Sequence, residues 1–153
     1  MIKLEYEREN KFTVEKNFAR LLSLQNTILL KGNGREMFRL IIAGGRDFAD
    51  YELLRAFVDF KLSRKWEEIQ IISGGARSAD ALGERYAAER GYLLRRFPAD
   101  WKQYGRAAGV RRNKEMAQNA DALIAFWDGI SRGTKNMIEE ATAAGIIVYI
   151  KRY

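Results

Sequence analysis

Five short apolar runs, separated by segments of helical period, are the feature that most limits how this chain can fold. The runs cover residues 40–43, 69–72, 92–94, 122–126 and 146–150. They are nearly uninterrupted in hydrophobicity, as strands covered on both faces must be. Between them, apolar side chains recur every three or four residues, around Leu54–Leu62, Ala79–Tyr86 and Ile138–Thr142, and more weakly over 106–119. This alternation predicts an α/β fold: a parallel sheet of about five strands with helices on both faces.

The first 36 residues follow a different pattern. Apolar side chains recur at near-helical spacing, at Val14, Phe18, Leu21, Leu22, Ile28 and Leu29. A glycine-containing stretch, residues 31–36, then ends the pattern. We therefore predict an N-terminal amphipathic helix in an extension, 1–36, ahead of one domain, 37–153. The helix either packs on that domain or binds a partner, and a second copy of the chain would make a homodimer or larger oligomer.

Composition excludes several kinds of chemistry. The chain has no Cys and no His, so disulfides, thiolate or imidazole metal sites and a Ser-His-Asp triad are all excluded. No metal site is predicted, and a metal held by oxygen ligands alone would be Mg²⁺ or Ca²⁺. Lys and Arg number 27 against 20 Asp and Glu, a net charge of +7 that favours an anionic partner. No run is long enough to span a membrane, and the acidic start is unlike a signal peptide, so we expect a cytoplasmic protein.

Three glycine-containing segments each follow a predicted strand and each include an arginine. We call residues 44–47, 73–80 and 128–134 the first, second and third glycine loops. Parallel strands bring such loops to one edge of the sheet, where backbone N–H groups and helix N-termini can bind an anion. The alternative is that the glycines serve turn geometry alone. The residues predicted to bind the phosphate or nucleotide are Gly44, Gly45, Arg46, Ser73, Gly74, Gly75, Arg77, Asp80, Asp128, Ser131, Arg132, Gly133 and Thr134.

A long polar segment between the third and fourth predicted strands adds further candidates. Trp101 or Tyr104 could stack on a base, and Arg106, Arg111 or Arg112 could bind a phosphate, with Asn113 beside them. Alternatively, Trp101 covers the sheet edge and the arginines are solvated. Trp127, at the end of the fourth strand, is placed either to stack on a base or simply to pack.

The order of these motifs resembles the SLOG superfamily, and most closely its YspA-like branch. The matching strings are Gly-Gly-Arg-Asp-Phe at 44–48, Ser-Gly-Gly-Ala-Arg-Ser-Ala-Asp at 73–80, Leu-Gly-Glu at 82–84, Pro-Ala-Asp-Trp at 98–101, Arg-Asn at 112–113 and Ala-Phe-Trp-Asp-Gly-Ile-Ser-Arg-Gly-Thr at 125–134. The resemblance covers about residues 38–150. It implies a Rossmann-like domain that binds nucleotides or nucleotide-derived molecules, such as relatives of ADP-ribose, at the glycine loops.

Related branches include phosphoribohydrolases and DNA-processing protein A, which handles single-stranded DNA. The hydrolases use Pro-Gly-Gly-x-Gly-Thr-x-x-Glu, whose glutamate helps to cleave an N-glycosidic bond. Here Gly133 and Thr134 match that Gly-Thr, but Arg132 precedes them and Met137 occupies the glutamate's position. The resemblance therefore supports the binding loop more directly than the hydrolysis.

Three functions are compatible with these features. The first is a nucleotide-ligand binding domain that acts as a sensor, a sequestering protein or a regulatory module. The second is a nucleotide N-glycosidase, in which Asp80, Asp128 or Glu139 would stabilise an oxocarbenium-like transition state, with Asp47 a weaker candidate. The third is binding of single-stranded nucleic acid, which the charge permits. We expect it less, because no array of basic and aromatic residues runs along the chain.

Overall fold

Eleven short elements follow one another in the part of the chain that the computed structural model describes, residues 37–63 and 68–153. They are β1 (Met37–Gly44), α1 (Tyr51–Lys61), β2 (Glu68–Ser73), α2 (Ala79–Arg90), β3 (Leu93–Arg96), α3 (Trp101–Tyr104), a 3₁₀ turn (Gly105–Ala107), α4 (Ala108–Gln118), β4 (Ala122–Trp127), α5 (Arg132–Ala143) and β5 (Ile147–Arg152). The helix predicted within 1–36 lies outside the described residues, so it and the oligomer that it would form stay predictions.

The five strands form one sheet in the order β3-β2-β1-β4-β5, and every neighbouring pair is parallel. The predicted α/β class, with a parallel sheet of about five strands, is confirmed. The helix predicted over 106–119 is present as α4, preceded by the 3₁₀ turn. Among the described residues, none of the helices combines the length and hydropathy needed to cross a membrane.

The third strand differs from the prediction. It was expected at 92–94 as a strand buried on both faces, but β3 begins at Leu93, ends at Arg96 and is exposed at all four positions. The reason is its place in the sheet: β3 pairs only with β2 and forms one edge. An edge strand with uncovered faces has no need of an apolar run, so two arginines can complete it.

Helices cover both faces of the sheet. Helix α2 packs against β1 and β2 and contacts α1, whereas α5 packs against β4, β5 and β1 and contacts α4. The chain places β2 and then β3 on one side of β1, and β4 and then β5 on the other. The strand order thus reverses between β1 and β4, and ligands of open α/β sheets bind at such a switch point, outside the carboxyl ends of the strands.

The core fixes the ends of the central strands. The side chains of Ile41, Ile72 and Leu123 are fully buried in it. Just beyond β1, the buried ring of Phe48 stacks on that of Phe126 with 4.5 Å between ring centroids. The segment after β1 is therefore anchored to the end of β4, and this anchor holds the first and third glycine loops side by side.

Candidate functional site

The three glycine loops lie at one edge of the sheet, because β2, β1 and β4 are adjacent and parallel. We call this edge the rim. Its loops are also tied to each other: the Gly45 N–H donates to the Phe126 carbonyl over 3.2 Å, and the Ser78 hydroxyl donates to the Arg46 carbonyl. The rim is thus one surface. Its glycines, however, are not equivalent.

The glycines of the first loop are required by packing within the protein. A Cβ at Gly44 would lie 2.7 Å from the Phe126 carbonyl oxygen and 2.8 Å from Cβ of Ala79. A Cβ at Gly45 would overlap the hydroxyl of Tyr153, which donates a 2.6 Å hydrogen bond to Asp47 Oδ1. The space beside these two glycines is therefore filled by the protein's own atoms.

Two further glycines are crowded by arginines. A Cβ at Gly74 would overlap the guanidinium of Arg112 and would lie 2.9 Å from Asp80 Oδ2. A Cβ at Gly129 would lie 2.6 Å from Nη1 of Arg152. At both positions a cation of the protein itself occupies the adjacent space, and Gly129 also has a φ of +87°, which favours glycine.

Gly75 and Gly133 are different, because a Cβ at either position would meet nothing within 4 Å. Gly75 has a φ of +68°, a conformation that itself favours glycine. Gly133 lies in the first turn of α5, where neither positive φ nor crowding requires glycine. These two positions are where the rim leaves its backbone open to a ligand.

The arginines of the glycine loops have no partner among the described residues. The side chains of Arg46, Arg77 and Arg132 are exposed, and none makes a hydrogen bond or ion pair with another residue in that part of the chain. Of the ten other arginines in the same part, five pair with a carboxylate: Arg39–Asp121, Arg55–Glu52, Arg85–Glu89, Arg90–Asp59 and Arg96–Glu84. Three unpaired guanidinium groups thus face solvent from three adjacent loops.

Asp80 is a buried carboxylate behind the second glycine loop. Its side chain lies in the first turn of α2, and its Oδ2 accepts a 3.1 Å hydrogen bond from the Ala76 N–H. Burial raises the pKa of Asp80, although the Ala76 N–H and the nearby charge of Arg112 act in the opposite direction. Burial also lowers the pKa of Arg112, whose Nη1 donates to the Gly74 carbonyl. The second loop therefore rests on two partly desolvated groups of opposite charge.

Helix α4 links the second loop to the third. Arg112 Nε donates to Asn113 Oδ1 over 3.0 Å. Asn113 is buried, and its Nδ2 donates to Asn136 Oδ1 over 2.9 Å and to the Gly133 carbonyl over 3.4 Å. Both Arg112 and Asn113 were predicted to bind the ligand. The structure places them beneath the loops, where their polar atoms hold Gly74 and Gly133.

The side chains of the third loop shape its turn. Asp128 Oδ1 accepts 2.8 Å hydrogen bonds from the N–H groups of Ile130 and Ser131, and these bonds lower the pKa of Asp128. Ser131 caps α5, and its hydroxyl lies 3.0 Å from that of the buried Thr134. The oxygens of this loop are thus engaged in local structure, and its exposed positions are Ile130, Arg132 and Gly133.

The remaining predicted site residues are Trp101, Arg106, Trp127 and Glu139. Trp101 and Arg106 are exposed in and just after α3. Trp127 donates from Nε1 to the Ser131 carbonyl over 3.1 Å, and the guanidinium of Arg152 lies 4.9 Å from its ring centroid. Glu139 lies seven residues into α5, about 10 Å beyond its start, and forms a 3.6 Å ion pair with Lys135 on the exposed side. The structure does not bring Glu139 to the loops.

Several residues of the rim were not predicted from the sequence. Ser78 has a φ of 71°, which is rare outside glycine, and joins the first two loops. Glu84 accepts a 2.8 Å hydrogen bond from the Ser73 hydroxyl and two more from Arg96, and those from Arg96 are the main reason its pKa is lowered. Both lie inside the matched motifs, which was a usable signal. Tyr153 lies 106 residues from Asp47, and no sequence pattern connects the two.

The described residues bring together no group of three or more acidic side chains suited to a metal ion. The oxygen-ligated metal that the composition permits therefore has no assigned site in this part of the chain.

Comparison with known proteins gives the family. The model of the YspA, cpYpsA-related SLOG family matches residues 38–104, from β1 to the end of α3. The chain is also 36% identical over 118 residues to the Gene 61 protein of Mycobacterium phage D29, an alignment that covers 73% of this chain and 94% of that protein. No solved structure matches. The chain belongs to the YspA, cpYpsA-related SLOG family, and this membership indicates a nucleotide-related ligand-binding or processing role.

Proposed function

We propose that this protein binds a nucleotide-derived ligand by its phosphates at the rim and acts as a sensor, a sequestering protein or a regulatory module. The observation that carries the proposal is the set of three exposed, unpaired arginines on adjacent loops of the described domain: Arg46, Arg77 and Arg132. Guanidinium groups bind phosphate through paired, charge-assisted hydrogen bonds. An anion with several oxygens would supply the partner for all three groups.

The open backbone supports the same ligand class. The Cβ space beside Gly75 and Gly133 is empty, so phosphate oxygens can approach their backbone. Gly133 also lies in the first turn of α5, a helix of 12 residues whose N-terminus carries a partial positive charge. Because the cations come from three separate loops, they favour a ligand with more than one phosphate. A relative of ADP-ribose has that chemistry.

Loss of one rim cation tests the proposal. Binding of AMP, ADP, ADP-ribose and pyrophosphate to the full chain would be measured by calorimetry, with Arg77→Gln as the variant. Removing a charge-assisted hydrogen bond costs about 1.5–3 kcal/mol, so we expect affinity for the best ligand to fall by roughly 10- to 150-fold. Arg55→Gln is the matched control, because Arg55 is exposed on α1 and pairs with Glu52. Equal affinities for Arg77→Gln and the wild type would refute the site.

A second candidate function, cleavage of a nucleotide N-glycosidic bond, rests on Asp80. A buried carboxyl with a raised pKa is a common feature of acid–base catalysts. Against it, Met137, in the position of the hydrolases' glutamate, lies in the hydrophobic core. If the protein is a hydrolase, Asp80→Asn should abolish release of the free base from AMP or ADP-ribose while the ligand still binds. Turnover that survives in Asp80→Asn would remove Asp80 from the mechanism.

A further inference from the structure

Apolar and aromatic side chains are exposed together on one surface after β3. Helix α3 and the N-terminal half of α4 present Trp101, Tyr104 and Val110, whose exposed fractions are 58%, 38% and 47%. Trp101 packs one part of its ring near Gly109, where an added Cβ would lie 3.3 Å from Cη2. We call this region, residues 101–114, the α3–α4 surface. Such a group of exposed rings on a folded domain commonly marks a binding site.

The same segment is strongly basic. The α3–α4 surface contains five cationic side chains and no acidic one, and Glu115 follows directly after it; the cations are Lys102, Arg106, Arg111, Arg112 and Lys114. None of the five forms an ion pair with a carboxylate among the described residues, although such pairs are frequent elsewhere in the domain. Apart from Arg112, which donates to Gly74, these cations are exposed.

An open cleft of about 540 Å³ runs between α4 and the segment after β3. Its walls combine ring and aliphatic surface from Tyr104 and Val110 with the cations Arg111 and Lys114. The guanidinium of Arg111 lies 4.1 Å from the centroid of the Tyr104 ring, so the aromatic and cationic groups are in contact. Of the two acids in the wall, Asp100 caps α3 by accepting a 2.9 Å hydrogen bond from the Gln103 N–H, and Glu115 is exposed.

We propose that the α3–α4 surface binds single-stranded nucleic acid, with bases stacked on Trp101 and Tyr104 and phosphates bound by the exposed cations. Exposed aromatic faces beside a positively charged groove are how proteins bind single strands without sequence preference. Four exposed cations spread between residues 102 and 114 are more than the phosphate of one nucleotide can engage, which favours a strand. These residues are close together in the sequence, and the chain turn at α3 and the helical turns of α4 place them on one surface.

Stacking is tested with the full chain and a fluorescent thymidine oligonucleotide of about 20 nucleotides. We expect a dissociation constant of about 1–100 μM near physiological salt. Base–aromatic stacking contributes enough that Trp101→Leu should weaken binding roughly 5- to 150-fold, whereas Trp101→Phe, which keeps an aromatic face, should retain most of the affinity. Equal loss in both variants, with unchanged melting temperatures, would contradict stacking.

The charge contribution is tested by salt dependence. Each phosphate contact to a single strand adds about 0.7 to the slope of log affinity against log salt, so Arg111→Gln combined with Lys114→Gln should lower that slope by about 1.4. Arg55→Gln combined with Arg85→Gln is the control, because these arginines lie on α1 and α2 and pair with carboxylates. An unchanged slope in the first double variant would overturn the proposal.

Competition identifies other occupants. If thymidine monophosphate displaces the oligonucleotide at an equal concentration of phosphate, the surface recognises a free nucleotide. If polyglutamate displaces it at an equal concentration of charged groups, the surface recognises an acidic protein. Either result would show that the proposal is wrong. The inference is independent of the proposed rim function. Arg77→Gln, in the second glycine loop, should leave oligonucleotide binding unchanged.

Discussion

At the level of single residues, the rim separates glycines that the fold requires from glycines that it does not. Gly44, Gly45 and Gly74 each lie against atoms of the protein, so the absence of a side chain there serves packing. At Gly133 the space beside Cα is empty and the backbone is ordinary helix, so the stability of the fold does not require glycine there. The sequence marked all of these positions alike, because a Gly-Gly pair does not reveal which side of its backbone is covered.

Gly133→Ala should therefore stabilise the fold and weaken binding of the ligand. Alanine is favoured over glycine within a helix by up to about 1 kcal/mol, so the free energy of unfolding should rise by a fraction of that amount. The added methyl group would enter the space proposed for the phosphate, so affinity for the rim ligand should fall. Urea unfolding and calorimetry on the same variant check both effects. A variant that is stabilised and binds normally would show that Gly133 does not face the ligand.

Gly45→Ala should reveal the contact between the first loop and Tyr153. Its Cβ would overlap the Tyr153 hydroxyl, so the substitution should destabilise the wild type. In a Tyr153→Phe background the hydroxyl is absent, and part of the cost should disappear. A double-mutant cycle by urea unfolding should give a coupling energy of about 0.5–3 kcal/mol. Additive effects would mean that Tyr153 does not lie over Gly45.

Asp80 should make the stability depend on pH. Because burial raises its pKa above the ordinary value of 3.8, the folded protein binds this proton more tightly than the unfolded chain. Protonation of Asp80 stabilises the fold fully below that ordinary value, and this contribution is lost as pH rises through the folded-state pKa. Each tenfold difference in proton affinity between the folded and unfolded states changes the free energy of unfolding by about 1.4 kcal/mol. The wild type should therefore gain stability relative to Asp80→Asn as pH falls from about 7 to about 4. The opposite trend in urea midpoints would contradict a buried, desolvated Asp80.

At the level of elements, hydrophobic periodicity predicted the helices and strands well where one face or both faces are buried, and less well at the edge of the sheet. β4 is buried at five of its six positions and was predicted within one residue. β3 was delimited less well, because only its first two residues, Leu93 and Leu94, belong to the apolar run and two exposed arginines complete it. α4 has a buried side at Ala108, Asn113, Met116 and Ala117, but a polar residue within that side weakened its apolar period.

That polar residue, Asn113, should be the most sensitive position of α4. Asn113→Ala would leave the side chain of Asn136 and the Gly133 carbonyl without its amide, and an unsatisfied buried polar group costs about 1–3 kcal/mol. Asn119→Ala is the control, because Asn119 donates to the Glu115 carbonyl at the more exposed end of the same helix. Urea unfolding should show the larger loss for Asn113→Ala. Equal losses would contradict a bridge between the second and third loops.

At the level of the whole molecule, the order of the strands decides which residues meet. The sequence indicated that the glycine loops share one edge, since all strands were expected to be parallel. It did not show that β4 lies beside β1, or that β5 brings Arg152 over Gly129 and is followed by Tyr153 over Gly45. These contacts join residues distant along the chain, and no local pattern records them. By contrast, the basic and aromatic residues of the α3–α4 surface are close in the sequence, so Trp101, Tyr104 and Arg111 could already be named as candidates from it.

The most direct test of the central claim is native mass spectrometry of the freshly purified full chain, followed by mass analysis of any molecule released on denaturation. We predict that the wild type retains a nucleotide-derived compound with at least one phosphate, and that a variant combining Arg77→Gln with Gly133→Ala does not. A wild-type protein that is empty, and whose melting temperature does not respond to AMP, ADP, ADP-ribose or pyrophosphate, would contradict a nucleotide site at the rim.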